Sequence, residues 1–502
     1  MKQRAAAATF GALALLALPV GAAAQTAGVT PPAIPQGPMA GDIAPFEGSP
    51  AKPDPFSVPR APQNPFMAPN GLSNLHNDAY QTDAYRWSGP RGRGTETRSA
   101  MYTGTVLTRE CASITFDAQG RLVTVCVGLD RPVLAIIDPG TLTPLATYSM
   151  PPRQPSAGNP FTDFSGGGYF YLDQKDRVVA PTTTRHIFVI AEMPGPSLER
   201  QRDLDLSGSL APDDKIVSAL PDWAGRIWFA SSMGVVGWID RASGKIHTRD
   251  LGSSIGNSFA VDEHRGVYIV TDEALYRLTA RRGKVGIVWR HGYPNHGTVK
   301  PGQTEAGSGT TPTIMGGGRY VAITDNADPV HIMVFQRRAD ADGRRVVCRK
   351  PVFHKGASST DQSLIGAGRA LIAENNFGYK ITATQNGGVT ARGLERVDVD
   401  RDGRGCHKVW RSRVRAPSVV PKISARAGLV YTYTKPRRKD DQDAWYLTAL
   451  DFDTGRTVWH RLSGEGLGYN NNYAPVTIAS NGTAFVGVLG GMVKFRDAPG
   501  GG

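Results

Sequence analysis

Short apolar stretches alternate with polar turns from about residue 99 to the end of the chain. Each stretch opens with an apolar strand and a turn rich in Gly or Asp, then has a second apolar strand and a two-strand hairpin. The pattern returns about every fifty residues, which is typical of the four-stranded blades of a β-propeller. The eight units open near Ser113, Gly168, Ile216, Ser258, Thr313, Ser363, Ser418 and Pro475.

The last unit runs out of chain after its third strand, at residues 492–495. An unassigned apolar strand at residues 101–107 precedes the first unit and can supply the missing one, which removes an exposed sheet edge. The sequence therefore predicts an all-β fold, a single eight-bladed β-propeller over residues 99–497 that is closed by an N-terminal strand. Seven blades is the alternative, because the unit at residues 168–205 has irregular turns.

The N-terminus has the pattern of a secretory signal peptide at residues 1–24. Lys2 and Arg4 precede an apolar run, and small residues at 22–24 fit a cleavage site. We therefore expect a secreted or periplasmic protein, with no transmembrane segment after the signal. Residues 25–98 form a Pro/Gly-rich arm, whose stretch at 74–87 carries enough polar and aromatic groups to pack over the ring.

The four cysteines are expected to form disulfide bonds, because export exposes them to an oxidising compartment. Cys111 and Cys126 flank a predicted hairpin. Cys348 and Cys406 each follow a turn with Asp and Gly, at residues 340–343 and 400–403 respectively, and so occupy equivalent strands of neighbouring units. Of the three possible pairings, we predict Cys111–Cys126 and Cys348–Cys406.

The chain is basic, with a formal net charge of +13. Arg and Lys cluster at residues 281–284, 344–350, 411–415 and 435–439, all in or beside predicted turns and outer strands. A basic surface suits acidic glycans or an anionic envelope, although solvated loop charge is the simpler explanation. Nucleic acid is not an expected partner of an exported protein.

Residues 449–459 contain the motif Ala-x-Asp-x-x-Thr-Gly-x-x-x-Trp, which resembles the tryptophan-docking repeat of quinoprotein-type (PQQ-like) β-propellers. A partial copy at residues 240–245 lacks the Trp, and strands ending at Trp289 and Trp410 lack the rest of the frame. The resemblance implies that these Trp side chains pack between blades. It also implies a pyrroloquinoline quinone site over two adjacent cysteines, but the chain has no such pair, so PQQ is not expected.

A fainter likeness is to gluconolactonase and strictosidine-synthase-like propellers. Residues 257–269 look like their unit of Asn, strand, Asp-x-x-Gly turn and strand. In the lactonases, such Asn residues and nearby carboxylates hold Ca²⁺ in the mouth of the tunnel. The likeness implies that Asn257 faces the tunnel of this protein.

In a propeller, the loops that enter each innermost strand and those that leave the second strand meet around the tunnel mouth. Here these loops are dense in carboxylates and amides, although simple turn chemistry also favours Asn and Asp. Asp361 and Glu374 are the predicted acid–base pair, and together with Asn376 they are possible Ca²⁺ ligands. The predicted ligand-binding residues are Asn257, Asp325, Asn326, Asn376, Asn471, Tyr473 and His76.

The sequence favours an exported propeller that binds a glycan, peptide or envelope ligand at the tunnel mouth. A Ca²⁺-assisted hydrolase or lyase, acting on a lactone or a carbohydrate, is the alternative. A quinone-dependent dehydrogenase is the least favoured of the three. Whether the protein is an enzyme stays open, because fold alone does not define function.

Overall fold

The computed structural model describes residues 27–37, 40–105, 107–153, 163, 165–195, 197–340 and 344–499. The predicted signal peptide and most of the turn predicted at 340–343 lie outside these residues. Within them, eight four-stranded antiparallel blades form a closed ring, so the protein is an eight-bladed β-propeller as predicted. The alternative of seven blades is wrong.

Three strands precede the first blade: β1 (Phe46–Gly48), β2 (Ala84–Tyr85) and β3 (Glu96–Met101). Blade 1 contains β4 (Glu110–Phe116), β5 (Leu122–Val127), β6 (Val133–Ile137) and β7 (Pro144–Ser149). Blade 2 contains β8 (Tyr171–Leu172), β9 (Val178–Pro181), β10 (His186–Met193) and β11 (Ser197–Asp205). Blade 3 contains β12 (Ile216–Pro221), β13 (Ile227–Ser231), β14 (Val235–Ile239) and β15 (Ile246–Asp250). Blade 4 contains β16 (Ala260–Val261), β17 (Val267–Val270), β18 (Ala274–Arg281) and β19 (Lys284–Gly292).

Blade 5 contains β20 (Thr313–Met315), β21 (Tyr320–Thr324), β22 (His331–Gln336) and β23 (Val346–Pro351). Blade 6 contains β24 (Ile365–Ala367), β25 (Ala370–Glu374), β26 (Leu394–Val399) and β27 (Cys406–Ser412). Blade 7 contains β28 (Lys422–Ser424), β29 (Leu429–Thr434), β30 (Ala444–Asp451) and β31 (Thr457–Glu465). Blade 8 contains β32 (Val476–Ile478), β33 (Ala484–Val488), β34 (Gly491–Arg496) and, as its outermost strand, β3. Short 3₁₀ turns lie at Ala40–Asp42, Ile381–Thr384 and Leu467–Tyr469.

Strand β3 closes the ring by pairing antiparallel with β34, from Glu96 opposite Arg496 to Met101 opposite Gly491. The predicted closing strand at residues 101–107 thus begins where the real one ends. Thr103 forms a β-bridge with Thr108 instead, and the Gly104 N–H donates to the carbonyl of Leu107. The chain then enters the first strand of blade 1.

The inner hairpins of blades 1 to 3 share one arrangement of hydrogen bonds and an ion pair in their turns. A buried Asp accepts hydrogen bonds from the backbone N–H groups two and four residues later, and its other oxygen pairs with an Arg four residues on. Because the carboxylate is satisfied on every side, it can be buried at low cost. The pairs are Asp117–Arg121, Asp173–Arg177 and Asp222–Arg226.

Neighbouring blades pack through buried aromatic side chains, and blades 6 and 7 show the detail. The Trp410 indole N–H donates to the carbonyl of Phe452, 2.8 Å away, in the turn that precedes β31. Gly455 in that turn has φ +68°, and a Cβ there would lie 2.5 Å from the Trp410 ring. Trp410 therefore docks on the next blade and has the structural role that the resemblance implied.

Both predicted disulfide bonds are present. Cys111–Cys126 joins the adjacent strands β4 and β5 within blade 1. Cys348–Cys406 joins β23 and β27, the outermost strands of blades 5 and 6. The second bond therefore ties two blades together at the rim of the ring.

The N-terminal arm lies against the ring wherever it is described. Strand β1 adds to the outer edge of blade 7 by pairing with β31, and β2 pairs in parallel with β28 near the axis. Residues 73–85, which we call the plug, accept main-chain hydrogen bonds from Leu172, Val261, Ile314, Gly366 and Ile423. These five residues belong to the innermost strands of blades 2, 4, 5, 6 and 7. The plug therefore crosses the tunnel at one face, and the mouth of the tunnel lies at the opposite face.

None of the helices in the described part of the chain has the length and the apolar character needed to cross a membrane.

Candidate functional site

A small chamber of about 60 Å³ lies in the tunnel between the plug and the mouth. Leu75 and His76 of the plug form its lower wall, and inner-strand and entry-loop residues of the ring form the rest. Among the predicted site residues, the chamber brings together His76, Asn257, Asp361 and Tyr473.

Asp361 enters the chamber from the loop that precedes β24. Its Oδ2 accepts hydrogen bonds from the backbone N–H and the hydroxyl of Thr304, at 2.6 and 2.8 Å. Its Oδ1 is buried and has no hydrogen-bond partner among the described residues. Burial raises the pKa of Asp361 to about 7, since the bonds from Thr304 offset only part of the desolvation of the charged form.

Glu374 is the last residue of β25 and is completely buried. Neither of its carboxyl oxygens has a hydrogen-bond partner in the described chain. Burial raises the pKa of Glu374 well above its usual value, and the charge of Asp361 raises it further. The two acids are thus close enough to influence each other's ionisation, and burial favours the protonated form of Glu374.

Three of the predicted amide side chains differ in their hydrogen bonding. Asn376 donates to the carbonyl of Gly302 at 2.6 Å, and Asn257 accepts from the Tyr169 hydroxyl at 3.2 Å. Asn471 donates to the carbonyl of Ala474, but its Oδ1 is buried without a partner in the described residues. Asn257 lines the chamber, whereas Asn376 mainly holds the loop at residues 299–305 over the tunnel.

Tyr473 and the residue before it have an unusual backbone conformation. Asn472 has φ +29° and Tyr473 has φ +69°, a region that bulky residues rarely adopt. The Tyr473 hydroxyl donates to the carbonyl of Gly302, and its ring meets that of Tyr379 edge to face at 5.2 Å. Strain of this kind concentrates at binding and catalytic sites, where surrounding contacts hold it in place.

Asp325 and Asn326 do not line the chamber. Asp325 accepts hydrogen bonds from the backbone N–H of His331 at 2.7 Å and pairs with the imidazole of the same residue at 2.8 Å. Asn326 donates to Asn295, Thr298 and Ala306. The pair therefore anchors the long loop between blades 4 and 5, part of which covers the tunnel.

His76 is held at the centre of the plug. Its Nδ1 lies 3.0 Å from both carboxyl oxygens of Asp83, which also pairs with the buried ammonium of Lys422. Its Nε2 lies 3.4 Å from the hydroxyls of Thr311 and Ser363. Burial lowers the pKa of His76, so the ring is neutral at physiological pH and is oriented like a general base.

A larger cavity of about 700 Å³ opens beside the chamber on the mouth face; we call it the mouth cavity. Ala112, Asn472 and Tyr473 line both spaces, so the two are neighbours. The mouth cavity combines aliphatic, aromatic, amide and charged groups. Its lining includes Leu107, Glu110, Leu129, Arg153, Asp163, Val299, Lys300, Gln303, Tyr379, Leu467 and Leu489.

Glu110 is the buried acid of the mouth cavity. The Asn472 amide donates to its Oε2 at 3.2 Å, and burial raises its pKa well above the usual value, although the charge of Arg153 opposes this. Glu110, Arg153 and Lys300 were not among the site residues predicted from the sequence. Glu110 begins an innermost strand, so its position could have identified it as a site residue. Arg153 and Lys300 lie in long loops between blades, where the sequence has no pattern that would identify them.

No group of three or more His, Cys, Asp or Glu side chains that could hold a metal is found among the described residues. A cation at Asp361 and Glu374 would therefore need amide, backbone or water oxygens as further ligands. The unpartnered oxygens of the two acids fit the oxygen preference of Ca²⁺.

No family model matches the chain. An uncharacterized protein of Archaeoglobus fulgidus is 28% identical over 318 residues, which are 57% of this chain and 61% of that protein. The match thus covers less than two thirds of that protein's length, and it names no activity.

Several solved β-propellers are similar in fold. BamB from Moraxella catarrhalis has 13% identity and a TM-score of 0.42, covering 64% of this chain and 94% of that one. Streptogramin B lyase has 10% identity and a TM-score of 0.41, covering 80% and 97%. The designed protein Ika8 has 10% identity and a TM-score of 0.45, covering 77% and 96%. At these identities the matches assign no function.

Proposed function

We propose that this protein is an exported binding propeller that holds a small carbohydrate in the mouth cavity. The observation that carries the proposal is the cavity itself, a concave space of about 700 Å³. Binding sites for small ligands are commonly concave and mostly apolar, with a few polar groups that fix orientation. The cavity has this character and lies where propellers usually bind their ligands.

The lining suits a sugar better than a fully apolar ligand. Leu129 and Val299, which are 38% and 54% exposed, line the cavity, and Tyr379 and Tyr473 add aromatic groups. Apolar and aromatic surfaces pack against the C–H faces of a sugar ring, while amides such as Asn472 and Gln303 hydrogen-bond its hydroxyls. Glu110 is buried next to the amide and offers a further hydrogen-bonding group.

The proposal is tested by titration calorimetry with a panel of neutral and acidic mono- and disaccharides, with dipeptides as a second arm. Leu129→Arg should abolish binding of any sugar held in the cavity, because the long charged side chain occupies its rim. Ile287→Arg is the matched control, since Ile287 is also 38% exposed but lies on the outer strand β19. Sugar binding that both variants retain, or a response only to dipeptides, would overturn the proposal.

A second candidate function, a Ca²⁺-assisted hydrolase or lyase, is favoured by one observation. Asp361 and Glu374 carry three buried carboxyl oxygens that have no hydrogen-bond partner among the described residues. Either a cation or a pair of protons must compensate them, and both states have catalytic uses. If Ca²⁺ binds, it should raise the melting temperature of the wild type and not that of Glu374→Gln. Lactone or glycoside hydrolysis, if present, should disappear with the chelator EDTA and in the same variant.

A further inference from the structure

A second concave surface lies far from the tunnel, on the outer side of the ring between blades 6 and 7. This groove has a volume of about 710 Å³ and is formed by the end of β27, the loops around residues 392 and 437, and the turn at 454–457. None of the described residues that line it is acidic. Its cationic lining residues are Arg392, Arg411, Arg413, Arg415, Arg437, Arg456 and His460.

Most of the arginines in the groove have no acidic partner within the described part of the chain. Arg411 pairs with Glu395 behind the groove. Arg392, Arg413, Arg437 and Arg456 are exposed and make no ion pair within the described ranges. This contrasts with blades 1 to 3, where the hairpin arginines are paired with Asp side chains.

Arg415 shows that these cations lie close together. Its guanidinium donates to the carbonyl of Thr390, which fixes it in the wall of the groove. Burial lowers the pKa of Arg415, and the charges of Arg392 and Arg437 lower it further. The fold thus holds like charges together at some cost, which an anion in the groove would relieve.

The groove is preformed. Its wall includes Gly455, which is docked on the Trp410 ring, and Thr454, whose hydroxyl bonds to Asp451. A ligand would therefore not have to order this turn in order to bind, and a preorganised site loses less free energy on binding.

We propose that this groove binds an acidic polysaccharide, with the guanidinium groups paired to carboxylates or sulfates along the chain. Arginine suits this partner because its planar fork makes two parallel hydrogen bonds to such a group. A groove accommodates an extended polymer, whereas a membrane surface is flat. The exposed large apolar side chains of the described chain, which insertion into a lipid interface would need, do not line the groove.

The test measures binding of the full mature chain to immobilised polygalacturonate and heparin by biolayer interferometry, with neutral dextran as blank. Both acidic polymers should bind, and more weakly as salt rises from about 50 to about 200 mM. Arg413→Glu with Arg437→Glu should weaken binding by about tenfold or more, since two attractive contacts become repulsive. Arg281→Glu with Lys284→Glu is the control, because it removes the same charge from an exposed hairpin of blade 4.

Three outcomes would overturn the proposal. The first is equal loss of binding in the two double variants, which would show an effect of net charge alone. The second is no retention of either acidic polymer by the wild type at the lower salt. The third is groove-dependent binding to phosphatidylglycerol vesicles without binding to the polymers, which would identify a lipid surface as the partner. Leu129→Arg should leave polysaccharide binding intact, so this proposal and that for the mouth cavity can fail separately.

Discussion

Two buried acids at the tunnel mouth, Asp361 and Glu374, have between them three carboxyl oxygens that accept no hydrogen bond from the described residues. Burial raises the pKa of both, in Asp361 to about 7. In the folded chain they therefore keep protons that they lose in the unfolded chain as the pH rises. Their contribution to stability is thus largest in acid and declines with pH, for Asp361 between its ordinary value of 3.8 and about 7.

Glu374→Gln should make the free energy of unfolding less dependent on pH. The wild type should lose stability as the pH rises above the ordinary Glu pKa of 4.5, because the unfolded state releases the Glu374 proton first. The variant has no such proton, so its curve should be flatter. Urea denaturation at several pH values with EDTA present measures the slope. Glu273→Gln is the control, because Glu273 is exposed and its loss should leave the wild-type slope unchanged. Parallel curves for the wild type and Glu374→Gln would show that burial does not raise the pKa of Glu374.

Gly455 and Gly244 occupy the same position in two equivalent turns, but only one of them contacts a neighbouring blade. Both have positive φ, at +68° and +73°, and a Cβ at Gly244 would meet nothing within 4 Å. Gly244→Ala should cost about 1–2 kcal/mol for the backbone alone. Gly455→Ala should cost about 1–3 kcal/mol more, because its Cβ meets the Trp410 ring. Equal losses in chemical denaturation would show that Trp410 docking does not constrain the turn.

The strands and hairpins were largely predictable from sequence, and the reason is the repeat. Each inner and second strand is short, apolar and bounded by Asp or Gly turns, so the period located the blades and placed Asp361 and Glu374 on one face. The predicted closing strand lies later in the chain than the observed one, because the sequence of residues 101–107 is as typical of a strand as that of Glu96–Met101. Arg153 was not predicted because the long loop between blades 1 and 2 carries no repeated pattern, whereas the entry position of Glu110 could have identified it.

Disulfide bonds act on the elements that they join. Removing Cys348–Cys406 by a double Ser substitution should lower the free energy of unfolding by about 4 kcal/mol at most, from loop entropy over 58 residues. The Cys111–Cys126 loop of 15 residues should account for about 3 kcal/mol. Denaturation of the two double variants compares these losses. A larger loss for Cys111–Cys126 would show that the tie between blades 5 and 6 adds little.

At the scale of the whole molecule, the plug determines which face of the tunnel is open. It binds the innermost strands through backbone hydrogen bonds, which leave no mark in the side-chain pattern. For this reason the sequence indicated only that residues 74–87 could pack over the ring. The plug crosses one end of the tunnel, and the acids, the amides and the mouth cavity lie toward the other end.

Lys422→Met should destabilise the protein by about 3–5 kcal/mol, because it leaves the buried Asp83 carboxylate without its ammonium partner. Adding Asp83→Asn should recover part of the loss, since the uncompensated charge is then gone. Lys408→Met is the control, because Lys408 is partly exposed and its partner Glu395 keeps Arg411. Thermal denaturation compares the wild type, the two single variants and the double variant. A loss of stability in Lys422→Met no larger than that in Lys408→Met would contradict the role assigned to the plug.

The most direct test is a crystal structure of the protein grown with the tightest-binding sugar from the calorimetry panel. The sugar should lie in the mouth cavity, with its ring against Tyr379 or Tyr473 and a hydroxyl bonded to Asn472. A sugar bound only elsewhere, such as in the arginine groove or on the face of the plug, with the mouth cavity empty, would contradict the proposed function.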